Sequence, residues 1–345
     1  MSEKLKINFA CWIYDRMEPL RDGRVTTEGI SLNYIPLWVS ETFYRMGVYK
    51  EFDVSEMSFG EFLHVISNEK EKSLIALPVF PSRMFRHRSI YINKNSGIRE
   101  PSDLKGKRIG ILRYAQTASI WIRGILDEHY GVPVESGEYY VGPLERSSPE
   151  AKEGGSLFRA KEDIGNSDIK IQRIDDDQCL SELLQNGKID ALYSSREPET
   201  LKMVNSNVRR LFSNYKEEEL LYFKKTGVFP MMHTIVMKMS IYRENPWIAE
   251  SLLKAFNQSK NQAQKDLEIN GVLKNMYPWM VEELNQWKEV IGQDYWPYGV
   301  RSNSNAISAF LRYCYQQGIT KKHLSAEDIF AKEAIEPFKK EKYMP

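Results

Sequence analysis

The sequence predicts an α/β protein with two lobes around a cleft, and three observations carry that expectation. Short apolar runs with strand character alternate with amphipathic helical stretches along most of the chain. A second series of such units, from "RIGIL" to "KIDALYS", mirrors the first. Stretches near 93–106 and 228–240 read as passages between the two series. Lobe 1 is therefore expected to hold residues 1–95 and 238–345, including the helical C-terminal region, and lobe 2 residues 96–237.

Taken in order, "KINFAC" (6–11) alternates as a strand, and "GISLNYIPL" (29–37) reads as a second after the turn-forming "RDGRVTTEG". A helix is expected over 41–49, then a short strand near 52–54 ending on Ser55, Glu56 and Met57. "FGEFLHVISN" places Phe59, Phe62, Leu63 and Ile66 on one helical face. "SLIALPVF" and "RSIYIN" read as buried strands, and "REPSDLKGKRIGIL" as a helical turn followed by another strand. Residues 115–131 have helical spacing and end at a glycine, with Gln116 or Thr117 at the opening. The polar run 143–168 predicts a long exposed loop. "IKIQRI", "DQCLSELLQNG" and "KIDALYS" give strand, helix and strand, the last delivering Tyr193 and Ser194. "VFPMMHTIVMKM" (228–239) reads as a returning strand. The next helix is expected to open with Asn245 as N-cap and Pro246 at its first position.

With 345 residues and a formal net charge of +1, the chain lacks the broad basic excess of a duplex-binding protein, so nucleic acid is not an expected partner. No apolar run is long enough to span a bilayer, and the N-terminal residues lack the apolar core of a signal peptide, which predicts a cytoplasmic protein with no membrane partner. Cys11, Cys179 and Cys314 are far apart and form no C-x-x-C pair, so they are expected in the core rather than in a disulfide, zinc or redox centre. The Trp- and Tyr-rich stretch 277–299 reads either as core or as the surface of a homo-oligomer.

In open α/β sheets, loops at the carboxyl ends of strands face the ligand crevice. That rule nominates 12–16, 55–57, 81–87, 114–117 and 193–196. The third of these belongs to "FPSRMFRHR", a cationic cluster with no Asp or Glu between Lys72 and Arg99 to neutralise it.

The strings "EFDVSEMS", "PVFPSRMFRH", "GIREPSDLKGKRIG", "GVFPMMH", "NPWIAESLLKAF" and "DYWPYGV", in this order along the chain, resemble the 4,5-dihydroxyphthalate decarboxylase family from about residue 6 to about 330. The resemblance implies a two-lobed fold like that of type 2 periplasmic binding proteins, with two crossover strands and an interlobe cleft. "YSSREPET" (193–200) departs from the more Pro-rich segment expected of relatives. The implied reaction removes one carboxylate from an aromatic dicarboxylate such as 4,5-dihydroxyphthalate, giving a dihydroxybenzoate such as protocatechuate. A hydroxyl para to each carboxylate supplies the electron push, so the chemistry requires no cofactor. The enzyme must provide a proton, fixed cations and exclusion of water.

For those roles, Arg83 and Arg86 are the first choice as a carboxylate clamp, with Arg16 facing them, because a guanidinium makes two parallel bonds to one carboxylate. The competing reading is a solvated turn with internal ion pairs. His87 and His233 are the leading proton donors, and a buried Glu56 is a second candidate acid; each would otherwise be an ordinary structural histidine or loop carboxylate. Gln116 and Thr117 are expected to present a helix opening to the second carboxylate, or simply to cap that helix. Tyr114 and Tyr193 would stack on the ring or pack in the core, and Tyr14, Ser55 and Ser82 complete the substrate-binding set. A divalent metal fits this reading only if His87, His233 and Glu56 converge. The enzyme reading is favoured, with a solute-binding protein for an aromatic or other anionic molecule as the alternative and a ligand-sensing module ranked last.

Overall fold

Each strand series builds its own sheet in a computed structural model that describes residues 3–148 and 168–335. The first sheet contains β1 (Leu5–Cys11), β2 (Ile30–Pro36), β3 (Val54–Ser58), β4 (Leu74–Leu77) and β11 (His233–Lys238). The second contains β5 (Ile90–Asn93), β6 (Arg108–Ile111), β7 (Glu138–Val141), β8 (Lys170–Arg173), β9 (Ala191–Tyr193) and β10 (Val208–Arg210). Their orders are β2-β1-β3-β11-β4 and β10-β5-β9-β6-β7-β8. In the first, β1 runs parallel to β2 and β3, while β11 is antiparallel to β3 and β4. In the second, β6 runs parallel to β7 and β9, while β5 is antiparallel to β9 and β10. Each sheet thus receives, in antiparallel sense, the strand that arrives from the other sheet. Every residue of β3 and β4 is buried, as expected for strands covered on both faces.

The chain leaves the first sheet after Leu77, enters the second at Ile90, and returns between Arg210 and His233. The first passage therefore lies ahead of residues 93–106, which link β5 to β6 inside the second sheet. The two passages run side by side. Met232 N–H donates to Ser82 O at 2.8 Å, Met84 N–H donates to Pro230 O at 3.1 Å, and Arg83 forms an antiparallel bridge with Met231. These bonds satisfy backbone groups that would otherwise be stranded between two domains.

Arg83 locks this tie. Its Nη1 donates to Phe229 O at 2.9 Å, and its Nη2 to Pro297 O at 2.6 Å and to Asn303 Oδ1 at 2.5 Å. Burial pulls its pKa down to about 9, which leaves it charged at neutral pH. Expected from sequence to grip a substrate, this guanidinium has both terminal nitrogens committed to protein oxygens.

The helices are α1 (Glu18–Arg21), α2 (Val39–Tyr49), α3 (Phe59–Asn68), α4 (Thr117–Tyr130), α5 (Leu180–Gln185), α6 (Tyr215–Thr226), α7 (Met239–Glu244), α8 (Ile248–Leu267), α9 (Met280–Ile291) and α10 (Ser304–Gln316), followed by two short turns of helix. The helix expected to start at Pro246 starts at Ile248, because residues 245–248 close a tight turn with Ile248 N–H on Asn245 O. Phe310 of α10 stacks on Phe59 of α3 at 5.1 Å and on Trp121 of α4 at 5.0 Å, which welds the C-terminal region to both lobes. That approach requires Gly124, since a Cβ there would lie 2.3 Å from the Tyr313 ring.

All three cysteines are buried and free. Tyr295 and Tyr298 are buried while Trp279 is 63% exposed, so the aromatic stretch divides between core and surface. Most of the loop expected at 143–168 lies outside the described residues. Among the described residues, no helix is long and apolar enough to cross a membrane.

Replacing Arg83 by Met keeps the apolar stem but strands three acceptors. It should cost about 3 kcal/mol of unfolding free energy, since hydrogen bonds to charged groups are each worth more than neutral ones. Denaturant titration checks this, and an unchanged midpoint would contradict the role given to Arg83.

Candidate active site

β3 runs from Val54 through Ser58, one residue past the expected end on Met57, with β1 and β11 paired on either side of it. Glu56 therefore sits inside the sheet, opposite Ile235, and is fully buried. Its Oε1 accepts the Tyr14 hydroxyl at 2.6 Å and meets His233 Nδ1 at 2.6 Å. Its Oε2 accepts Trp12 N–H at 3.2 Å and the Cys11 thiol at 3.4 Å. Burial alone would push this carboxyl up; the His233 charge and the donors His233, Tyr14 and Trp12 outweigh it and hold Glu56 below the usual range. Burial first, and then the Glu56 charge, push the Cys11 thiol well up, so it stays a neutral donor. The same two causes raise the Tyr14 phenol.

An ionised carboxylate only accepts, so the hydrogen on the short contact belongs to His233 Nδ1. Nε2 is left to face the other way. It makes no hydrogen bond among the described residues, and the His233 side chain keeps 18% of its surface exposed. The edge of Phe43 packs against the ring at 4.8 Å and fixes its plane. Beside this group, the Arg16 guanidinium lies 4.1 Å from the Tyr14 ring centre and 4.6 Å from that of Trp296. Its Nε donates to Pro81 O and its Nη1 pairs with Asp15 at 2.8 Å.

The facing wall comes from the second lobe. Gln116 occupies the N-cap position of α4 in extended conformation, and its amide oxygen accepts the Ser119 hydroxyl at 3.4 Å. Thr117 Oγ1 lies 2.9 Å from Ser58 Oγ and accepts Gly60 N–H at 2.9 Å. A Cβ on Gly60 would lie 2.6 Å from Ala115 O, so only glycine allows the openings of α3 and α4 to touch. One residue further on, fully buried Glu61 meets Arg113, with Nη2 at 2.8 Å from Oε1. Sequence reasoning missed this pair. Its signals were a carboxylate inside the otherwise apolar "FGEFLHV" and an arginine directly after the strand "RIGIL".

Other nominated residues lie elsewhere. His87 is caged by the rings of Tyr130, Phe212 and Tyr222, with centroids at 5.9, 5.2 and 5.4 Å, and neither of its nitrogens has a hydrogen-bond partner among the described residues. Burial, helped by His129, lowers its pKa to about 4. Arg86 is buried against Met232 Sδ and the Ser89 hydroxyl. Tyr114 is buried with its hydroxyl on Gln317 O at 3.2 Å, and Tyr193 is only 1% exposed. Ser55 is buried and turns its hydroxyl to Glu56 O at 3.2 Å, whereas half-buried Ser82 contributes its carbonyl to the interlobe tie. The structure therefore gathers Tyr14, Arg16, Glu56 and His233, and sets Thr117 against Ser58, the residue that pairs with His233 across the sheet. His87 does not join Glu56 and His233, and among the described residues no group of three His, Cys, Asp or Glu side chains is arranged to hold a metal ion.

Two open cavities, of about 400 and 360 Å³, share Arg83 and Phe229 in their walls, and neither is lined by Glu56 or His233.

No protein-family model matches the chain. It is 32% identical over 342 residues to a 4,5-dihydroxyphthalate decarboxylase of Comamonas testosteroni, covering 97% of this chain and 99% of that one. The chain belongs to the 4,5-dihydroxyphthalate decarboxylase family. A second enzyme of that name, from Pseudomonas putida, is 32% identical over 209 residues, covering 61% of this chain and 78% of its own. Membership places the chain among the carboxy-lyases. In fold it is similar to an ABC-transporter protein of Methylobacillus flagellatus described as a periplasmic sulfonate-binding protein, with a TM-score of 0.54 at 14% identity, covering 96% of this chain and 92% of the other. The periplasmic-binding-protein architecture thus carries a decarboxylase family member.

The caged His87 makes a pH prediction. Above its ordinary value of 6.5 the ring is neutral in both the folded and unfolded chain; between 6.5 and about 4 only the unfolded chain binds the proton, so folded stability falls as pH falls through that window. Over the whole window the loss is about 3 kcal/mol. His87→Phe should flatten stability against wild type across this range, and parallel pH profiles would contradict the assignment.

Proposed function

We propose that the protein decarboxylates a hydroxylated aromatic dicarboxylate such as 4,5-dihydroxyphthalate, releasing carbon dioxide and a dihydroxybenzoate such as protocatechuate. The carrying observation is the 2.6 Å contact between buried Glu56 and His233 Nδ1, which leaves Nε2 directed away from the carboxylate. A histidine so held is a positioned acid, because the carboxylate fixes the ring and stabilises the imidazolium.

The steps balance without an electron sink beyond the substrate. The para phenolate pushes an electron pair toward the ring carbon that bears the leaving carboxylate, and that carbon takes the Nε2 proton of the His233 imidazolium, whose Nδ1 hydrogen stays on the bond to Glu56. The bond to the carboxylate carbon then breaks, its electron pair restores the aromatic ring, and carbon dioxide departs. Solvent returns a proton to the imidazole when the lobes part. Arg16, stacked on Tyr14, supplies a cation beside the dyad, and the touching openings of α3 and α4 exclude water while the cleft is shut. Its opening must admit the substrate.

His233→Ala should lower turnover by about two to four orders of magnitude while changing substrate affinity far less, as expected for loss of a general acid. Unaltered turnover would remove His233 from the reaction. The reading itself is tested by incubating purified protein with 4,5-dihydroxyphthalate, with and without a chelator, and following carbon dioxide and aromatic products by chromatography. A dihydroxybenzoate formed with carbon dioxide supports it, and the chelator arm reports whether a divalent ion takes part. Tight binding without turnover would instead favour a solute-binding protein.

A further inference from the structure

The mechanism above leaves unused a pair of charges that joins the two lobes. Glu61 lies in the first turn of α3 with no exposed surface, and Arg113 follows β6 at the carboxyl edge of the second sheet with its side chain 12% exposed. Although Nη2 approaches Oε1 to 2.8 Å, the alignment is poor. Both Glu61 oxygens and Arg113 Nε have no hydrogen-bond partner among the described residues. A guanidinium normally answers a carboxylate with two parallel bonds, and a buried pair that fails to do so bears much of its desolvation cost uncompensated. Burial pushes the Glu61 carboxyl up despite the nearby Arg113 and His233 charges, so the site resists a negative charge that is not properly bonded. The influence of His233 also places the pair within electrostatic reach of the acid.

We propose that Arg113 receives one carboxylate of the aromatic dicarboxylate, and that Glu61 occupies this position as a built-in surrogate while the cleft is empty. The inference rests on the functional reading above and deepens it by naming the residue that recognises the second carboxylate. Arg113 has an unpartnered Nε–H to offer a ligand, and a ligand carboxylate arriving in the plane of the guanidinium can make the fork that Glu61 does not. Exchange of one carboxylate for the other then accompanies ligand entry, and Glu61 favours release of the bound anion by competing for the same cation. Arg113 is thereby a specificity-determining residue: it selects an ortho-dicarboxylate over a ring with a single carboxylate.

Calorimetric titration with phthalate, which has both carboxylates but no hydroxyls to drive loss of carbon dioxide, tests this on full-length protein. Glu61→Gln should tighten phthalate binding and Arg113→Gln should weaken it, each by about tenfold, the scale of a hydrogen bond to a charged group. Arg113→Lys, which keeps the charge and most of the packing, should also weaken binding, because it loses the planar fork. Catechol, with no carboxylate, should bind all variants alike. If the pair were only a latch between lobes, Glu61→Gln and Arg113→Gln would break the same contact and shift affinity in the same direction, which overturns the proposal. An Arg113→Lys variant equal to wild type overturns it too. Turnover of 4,5-dihydroxyphthalate by the same wild-type preparation separates the two levels of inference. Turnover with same-direction shifts removes only the role given to Arg113 and Glu61. Opposite shifts without turnover keep the carboxylate site and remove the decarboxylase reading. A wild type that neither turns over the substrate nor binds phthalate removes both.

Discussion

A fully buried, ionised carboxylate at the centre of the first sheet is the constraint on which the rest of the site depends. Stranding such a charge in a protein interior costs several kcal/mol, so Glu56 is tolerable only if its lone pairs are filled. The donors come from separate parts of the chain: Cys11, Trp12 and Tyr14 from the end of β1, and His233 from the start of β11. They meet Glu56 only when β1, β3 and β11 lie side by side in that order. The site is consequently as rigid as the sheet that carries it. The same bonds that make the burial tolerable decide the proton's place on His233, which joins packing directly to chemistry.

The hinge adds a second constraint. His233 is the first residue of β11, immediately after the segment in which Met232 pairs with Ser82. The acid is therefore fixed to the first lobe but stands where the chain returns from the second. Any parting of the lobes keeps the Glu56–His233 geometry and changes what lies before Nε2. At the openings of α3 and α4, such a motion breaks the polar contacts of Ser58, Gly60 and Glu61 with Thr117 and Arg113. Polar contacts re-form with water at modest cost, whereas the stacked rings of Phe59, Phe310 and Trp121 hold the C-terminal region in place. One continuous apolar cluster containing Phe59, Trp121 and Phe310 also joins the lobes, so polar and apolar contacts hold the cleft together.

The two sheets were legible in the sequence because each strand is a short apolar run between polar helices, and periodicity reports burial directly. Loop positions were legible for the same reason, and they nominated Tyr14, Arg16 and Glu56, whereas His233 was nominated for its imidazole beside the returning strand. What sequence could not show was which charges face one another. In "FPSRMFRHR" the absence of a nearby acid pointed to an anionic ligand, yet the terminal nitrogens of Arg83 are satisfied by carbonyl and amide oxygens from residues 229, 297 and 303, and those contacts have no local signature. His87 shared the apparent context of His233, but aromatic rings from 130, 212 and 222 enclose it. Glu61 and Arg113 were hidden by the opposite effect: each is a lone charge in an apolar run, and only the meeting of the lobes pairs them.

The central claim is that Glu56 holds His233 with its proton on Nδ1 and its Nε2 turned away from the carboxylate. Nitrogen-15 NMR of protein labelled in its histidine rings reads this directly, with the His233→Gln variant identifying the resonances. A hydrogen-bearing Nδ1 on His233 in the ligand-free protein at neutral pH, lost or weakened in Glu56→Gln, is the result this account predicts. A bare Nδ1 with the proton settled on Nε2, unchanged by Glu56→Gln, would contradict it.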